Sequence, residues 1–300
     1  MLKEWPLVAF TILGQTAVGL FWSFHLPFLL RGRVPAFGWR ATWLIVLGLT
    51  ALLVTLAAVL SLFHLRHPFR ARRALGNLRT SWLSREILFE LLFLALVGII
   101  GGLGAFRSPD PALVRGLLAA ACLAGGLFLL SMTRLYMLPA VSVWKGIYTP
   151  LSFLATTLVL GALTTGVVVR AVAGPGAFAL DLTTAGLVLV AAEIVLAVWA
   201  APRHGLRGFR PEPSLRPGDA PPALLHLARL LLLTAGLVLL AIDRISGGND
   251  IMNERGAGPV LLAAFLVILA AEIAGRIHFY DLVARPDKTA SSIGFRPASR

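Results

Sequence analysis

The sequence predicts an all-α polytopic membrane protein, a bundle of eight transmembrane helices. Hydrophobic residues make up 58% of the 300-residue chain and charged residues only 14%, where a water-soluble domain carries roughly 25% charged residues. The mean hydropathy is +0.84, more apolar surface than a water-facing fold can hide, so lipid must cover part of it. Eight apolar runs approach or exceed the roughly 20 residues a helix needs to cross a bilayer. They fall at about 5–30, 41–64, 84–106, 112–133, 148–172, 179–200, 223–243 and 259–280.

The run at 5–30 starts with Trp5 and Pro6, and a proline in the first turn costs little because its missing N–H would have no helical partner. Pro27 kinks or ends the same helix. The run is longer than a signal-peptide core and reads as a retained helix. Trp39 and Trp43 mark the entry of 41–64, as an aromatic belt requires, and His64 closes it. In 84–106, Ser84 is the expected N-cap, Glu86 suits the positive end of the helix dipole, and the glycines between 98 and 104 suit close helix packing. The run 112–133 holds the single cysteine, Cys122, read as a small buried apolar side chain; one cysteine excludes an internal disulfide and a Cys-based metal site in this protein. Trp144, Tyr148 and Pro150 introduce 148–172. Glu193 lies inside 179–200, and Asp243 with Arg244 ends 223–243 as an expected solvated pair. Pro259 opens the last run, in which Glu272 and Arg276 are four residues apart and are expected to pair. Residues 1–280 thus form one helical domain, and 281–300 a polar tail.

The net charge is +13. The arginines cluster in short inter-helix segments, which favours lipid phosphates or an acidic protein partner over nucleic acid. With eight spans, 19 of the 27 lysines and arginines fall on the side of the two termini, and the positive-inside rule places that side in the cytoplasm.

Polar side chains at membrane depth are costly and point to function. Gln15, His64, Glu86, Glu90, Arg134, Tyr148, Glu272, Arg276 and His278 all lie toward the terminal side. An apolar bundle with polar groups gathered at one face suits an amphipathic ligand entering from lipid. A quinol fits, because its oxidation releases two electrons and two protons. A histidine can hydrogen-bond its hydroxyl and take a proton, and a carboxyl at the headgroup boundary can pass that proton to water. His64 and Glu86 flank one loop and are the candidates. Their structural alternatives are a helix C-cap for His64 and a dipole partner for Glu86. Glu90 sits one turn deeper, as a proton relay or a partner of Arg85 or Arg134. A b-type haem needs histidines at matching depth on spanning helices; His25, His64 and His278 offer no such pair, so neither haem nor metal is expected.

The segments Glu4-Trp5-Pro6-Leu7, Phe10-Thr11, Gly14-Gln15, His64-Leu65, Pro68, Arg70-Ala71, Leu83-Ser84 and Glu86-Ile87 resemble the membrane anchor subunit of the dimethyl sulfoxide reductase family of molybdoenzymes. Arg134-x-Tyr136, Trp144, Thr149-Pro150 and Glu272-x-x-Gly275-Arg276-x-x-Phe279-Tyr280 are similar to the same pattern. The resemblance implies an eight-helix, haem-free anchor in the cell (inner) membrane. Such an anchor oxidises menaquinol in anaerobic respiration and passes electrons to an iron–sulfur subunit, which serves a molybdopterin catalytic subunit. It assigns His64 and Glu86 to the quinol site, with Arg70 and Gln15 as further lining residues. Arg66 departs from the small glycine of the family pattern. The family's catalytic side faces outward, opposite to the charge count, unless the basic loops grip an acidic iron–sulfur partner. Two rival readings remain: a secondary transporter using Glu193, Glu272 and Arg276, and a structural anchor without a quinone site.

Overall fold

The computed structural model describes residues 5–33, 39–63, 75–105, 110–137, 144, 146–174, 181–201, 222–246 and 258–284. It contains eight long helices: α1 (Trp5–Leu30), α2 (Arg40–Leu62), α3 (Trp82–Ala105), α4 (Pro111–Tyr136), α5 (Tyr148–Ala173), α6 (Leu182–Ala200), α7 (Pro222–Ser246) and α8 (Pro259–Ala284), with a 3₁₀ turn at Leu75–Asn77. All eight are long and apolar enough to span a membrane, and no strand occurs among the described residues. The protein is therefore an all-helical, multi-pass membrane protein.

Helix boundaries follow local chemistry. Asp110 caps α4, accepting from the Ala112 N–H at 2.9 Å, with Pro111 at the first helical position. Asp181 caps α6 by accepting from the Thr184 N–H at 3.0 Å. For α3 the capping hydroxyl is Ser81 rather than the expected Ser84: the Ser84 N–H donates to Ser81 Oγ at 3.3 Å. Pro27 does not end α1, which runs on to Leu30. The last helix continues four residues past the expected boundary at 280.

The eight helices form two halves of like connectivity. In the first half α2 lies against α1 and α3, α4 pairs closely with α3, and α1 touches α4; α5–α8 repeat these neighbours in order. The halves meet along α1 and α5, which occupy the centre: 72% of the most apolar stretch of each is buried, against 28–39% in the other six. Their contact is a backbone approach at Gly19 and Gly161. A methyl group on Gly19 would collide with the Thr157 carbonyl oxygen, and one on Gly161 with the backbone of Gly19. Both central helices are followed by a left-handed glycine, Gly32 (φ 63°) and Gly174 (φ 87°). Gly32 and Gly174 are 142 positions apart, as are Gly19 and Gly161 and the starts of α2 and α6. Each half has an even number of helices, so α1 and α5 run in the same direction and the repeat is parallel. Only a four-residue echo, Ala-Ala-Glu-Ile at 191–194 and again at 270–273, hints at repetition along the sequence, and it pairs α6 with α8 rather than equivalent helices.

The glycine-rich stretch of α3 does not serve the close packing expected of it. Gly98, Gly101 and Gly102 have no atom within 4 Å of where a methyl group would stand; only Gly104 of that stretch is crowded, by Trp43 and Leu44.

Candidate functional site

The polar residues of the terminal side gather into a buried network that joins the two halves. Gln15 lies ten residues into α1, about 15 Å from its start, and is fully buried. Its Oε1 accepts from Arg276 Nη2 at 2.7 Å, and its Nε2 donates to the Phe153 carbonyl at 3.3 Å. One turn nearer the membrane surface, the Thr11 hydroxyl on α1 donates to the Leu7 carbonyl at 2.9 Å. Gln15–Arg276 is thus a buried rung between the antiparallel helices α1 and α8. The Arg276 guanidinium also covers the Phe153 ring at 3.9 Å, a cation–π contact that compensates some of its lost hydration.

Tyr280 carries the network onward by donating to the Tyr136 hydroxyl at 2.7 Å. The Glu86 carboxyl of α3 lies within electrostatic reach of both phenols and so belongs to the same cluster. Glu86 is 2% exposed, and its Oε1 has no hydrogen-bond partner among the described residues. Glu90, one turn deeper, also has an unpartnered Oε1 among them. The expected Arg85 and Arg134 partners are engaged elsewhere: Arg85 donates to the Leu78 and Arg79 carbonyls, and both guanidiniums lie over the Trp82 ring.

On the other flank Glu272 and Arg276 do not pair with each other. Glu272 Oε2 accepts from Thr156 Oγ1 at 2.6 Å and faces Arg229 Nη2 at 3.5 Å. Arg229 donates to Glu193 Oε1 at 2.6 Å and to the Tyr148 hydroxyl at 3.1 Å. Gly275 makes room for this arginine, since a methyl group there would stand 2.6 Å from Arg229 Nε. A cavity of about 20 Å³, room for roughly one water molecule, lies between α5, α7 and α8. Tyr148, Thr156, Arg229, Glu272, Arg276 and His278 line it.

The far side of the bundle holds a smaller polar group. Asp243 is not paired with Arg244: Arg170 grips it with two hydrogen bonds, 2.6 and 2.9 Å, and Arg244 pairs with Asp181 at 3.1 Å. His25 is also buried there. Its Nε2 accepts from Trp43 Nε1 at 3.1 Å, so its Nδ1 carries the proton donated to the Phe21 carbonyl at 2.8 Å. With both nitrogens used, His25 is not available as an axial ligand. Among the described residues no group of three or more His, Cys, Asp or Glu side chains is placed to hold a metal.

Of the four residues expected at the site, Gln15 is bonded to Arg276, and Glu86 is buried within electrostatic reach of the Tyr136–Tyr280 pair. His64 and Arg70 lie outside the described residues. Sequence reasoning placed Arg229 among the side-marking charges, although it stands inside Ala-Arg-Leu-Leu-Leu-Leu, seven residues into an apolar helix, which is the signal of an intramembrane arginine. Thr156 went unremarked for lack of any signal, because a threonine in an apolar helix usually bonds its own backbone.

A parallel two-half helical bundle with a buried polar network at one face defines an integral membrane subunit rather than a water-soluble catalyst. The protein belongs to the DMSO reductase anchor subunit (DmsC) family, whose model matches residues 1–282. It is 30% identical over 282 residues to the C subunit of anaerobic dimethyl sulfoxide reductase from Escherichia coli (strain K12), covering 93% of this sequence and 94% of that one. It is 29% identical to the anaerobic dimethyl sulfoxide reductase subunit YnfH of the same organism, over 93% and 94% of the two sequences. The C subunit from Haemophilus influenzae (strain ATCC 51907 / DSM 11121 / KW20 / Rd) is 29% identical over 163 residues, 54% of this sequence and 57% of that one. No solved structure matches the protein.

Proposed function

We propose that this anchor subunit, in the cell membrane, binds menaquinol at a site built on His64 and Glu86, with Arg70 and Gln15 lining it. It oxidises the quinol and passes the electrons to an iron–sulfur subunit, which feeds a molybdopterin catalytic subunit in anaerobic respiration. The relatives' names, which describe parts of anaerobic dimethyl sulfoxide reductase, support a multisubunit reductase context. The observation that carries the quinol reading is the buried Glu86 carboxyl with an oxygen left without a partner among the described residues. A buried acceptor without a donor costs about 1–3 kcal/mol, and a quinol hydroxyl would supply that donor. The second-half cavity, of about 20 Å³, is far smaller than a quinol ring.

Each quinol oxidised gives up two electrons to the partner cluster and two protons to protein groups and water. His64 takes a proton from the ring hydroxyl as general base, and Glu86 accepts one and releases it at the membrane surface. The secondary-transporter alternative expects discontinuous helices at its binding site; the eight helices are continuous.

His64→Ala and Glu86→Gln are each expected to lower quinol-linked turnover by about 10²–10⁴-fold, the usual range for a lost proton-transfer group, in complexes that still assemble. Unchanged quinol oxidation in both variants removes this site from the mechanism. Assembly without any quinol oxidation in the unaltered complex returns the protein to a purely structural anchor.

A further inference from the structure

Among the described residues, the network that joins the halves contains more acid than base. Glu86, Glu90, Glu193 and Glu272 are buried on the terminal side, and the buried guanidiniums facing them are Arg229 and Arg276. At Arg229 two carboxylates would face one guanidinium, and an uncompensated negative charge in a low-dielectric interior costs several kcal/mol. Some of these carboxyls must therefore carry protons, and the geometry singles out one pair.

Glu193 of α6 and Glu272 of α8 converge on Arg229, which binds each of them through a single oxygen: Glu193 Oε1 at 2.6 Å and Glu272 Oε2 at 3.5 Å. Glu193 Oε2 and Glu272 Oε1 are buried without donors among the described residues. Both carboxyl groups reach the same nitrogen, Arg229 Nη2, so two acids share one cationic group. Two carboxylates cannot hydrogen-bond, since both are acceptors only; a carboxylic acid and a carboxylate can. The surrounding groups leave this the simplest resolution. The two terminal nitrogens of Arg229 serve Tyr148, Glu193 and Glu272, its Nε is buried without a partner among the described residues, and Arg276 donates to neutral Gln15. The Thr156 hydroxyl serves the Glu272 oxygen that already faces Arg229.

We infer that Glu193 and Glu272 form a proton-binding site: the pair, sharing Arg229, holds one proton and exchanges it with water through the cavity between α5, α7 and α8. Glu272 lines that cavity together with Tyr148 at the start of α5 and His278 near the end of α8, so the exchange path leads to the terminal face. The titratable and charged groups around the pair are Tyr148 from α5, His226 and Arg229 from α7, and Arg276 and His278 from α8. His226 and His278 stand with their rings 5.5 Å apart. Uptake adds one proton from water to a carboxylate oxygen and release returns it, with no electron transferred. The site is independent of the quinol reading and lies in the other half of the bundle.

The test is infrared spectroscopy of the full-length protein in quinone-free lipid vesicles, following the deuterium-sensitive C=O stretch of protonated carboxylic acids. Glu193→Gln and Glu272→Gln should each remove one carboxyl's intensity, and the double variant should remove no more than either alone, because one proton serves both. Thr156→Val keeps both carboxyls and should shift the band without removing it, which retains the test if a glutamine variant fails to insert. Intensity unchanged in both single variants, an additive loss in the double, or a Thr156→Val band identical to that of the unaltered protein overturns the inference. None of these readouts depends on quinol, so a failed quinol site and a failed proton site are told apart.

Discussion

The Tyr280 hydroxyl donates to the Tyr136 hydroxyl at 2.7 Å, bonding the last helix of one half to the last helix of the other. Tyr136 ends α4 and Tyr280 lies in the last two turns of α8. Trp144 stacks on Phe279 at 4.8 Å and meets Tyr136 edge-on at 5.5 Å, so the hydroxyl pair is held in an aromatic cage. Glu86 lies within electrostatic reach of both phenols, and Arg276 stands one turn from Tyr280. The pair is thereby the junction between the Glu86 side and the Arg229 side of the network.

Removing either hydroxyl breaks that junction. Tyr136→Phe should cost about 1 kcal/mol, the usual net value of a hydrogen bond. Tyr280→Phe should cost a similar amount, because it removes the donor of the same bond. Thermal unfolding of the four members of a double-mutant cycle in detergent measures the coupling. Strictly additive losses would mean the hydroxyls do not bond.

Arg229 is the cation on which Glu193 and Glu272 converge, so Arg229→Met should be among the most damaging single changes in the bundle. Breaking a buried pair by removing one partner typically costs about 3–5 kcal/mol. Neutralising the acids as well, in Arg229→Met with Glu193→Gln and Glu272→Gln, should recover much of the loss. The midpoint of thermal unfolding compared across single and triple variants decides it. A triple variant no better than Arg229→Met alone contradicts the assignment of the cost to stranded charge.

The eight helices were legible because lipid solvation imposes one strong rule, a long uninterrupted apolar run, and nothing local competes with it. Their partners were not. Glu272 and Arg276 share a helix face, and i to i+4 spacing alone would pair them. The fold instead offers Glu272 a threonine from α5 and an arginine from α7, and gives Arg276 a glutamine from α1, 261 positions away. Asp243 and Arg244 are adjacent in sequence, yet adjacent helical residues point about 100° apart, so each finds its partner on another helix. Glu86 and Gln15 were identifiable as costly polar groups at depth. Their link runs through Tyr136 and Tyr280, which the sequence presents only as interfacial aromatics. The parallel repeat was hidden because apolar side chains facing lipid can be exchanged freely, while the positions that geometry fixes, Gly19 with Gly161 and Gly32 with Gly174, are too sparse to form a sequence pattern.

The buried His25–Trp43 bond gives a separate test on the far side. Trp43→Phe removes the N–H that donates to His25 Nε2 and should destabilise by about 1 kcal/mol plus a smaller packing loss. His25→Ala strands the Trp43 N–H and opens space beside Phe21 and Phe24, so its cost should be larger, about 2–4 kcal/mol. Thermal unfolding of both variants orders them, and an equal cost would show that the imidazole acts only by filling space.

Glycine substitutions discriminate between crossing helices and lipid-facing surface. Gly19→Ala and Gly161→Ala each push a methyl group into backbone of the opposite central helix. Backbone has no rotamer to swing into, so α1 and α5 must separate along their whole buried length. Overpacking costs about 1–3 kcal/mol where side groups adjust, and these two changes should exceed that range or prevent insertion. Gly98→Ala meets nothing within 4 Å and replaces a poor helix former with a good one, so it should be neutral or stabilising by up to about 1 kcal/mol. Gly275→Ala should fall between them, because the methyl group meets the Arg229 guanidinium and its stem rather than backbone, but Glu193 and Tyr148 hold that arginine in place. Yield of folded protein and unfolding temperature for the four variants should therefore rank Gly98→Ala first, Gly275→Ala next and the two central changes last. A well-folded Gly161→Ala variant would show that the halves are not in contact at Gly19.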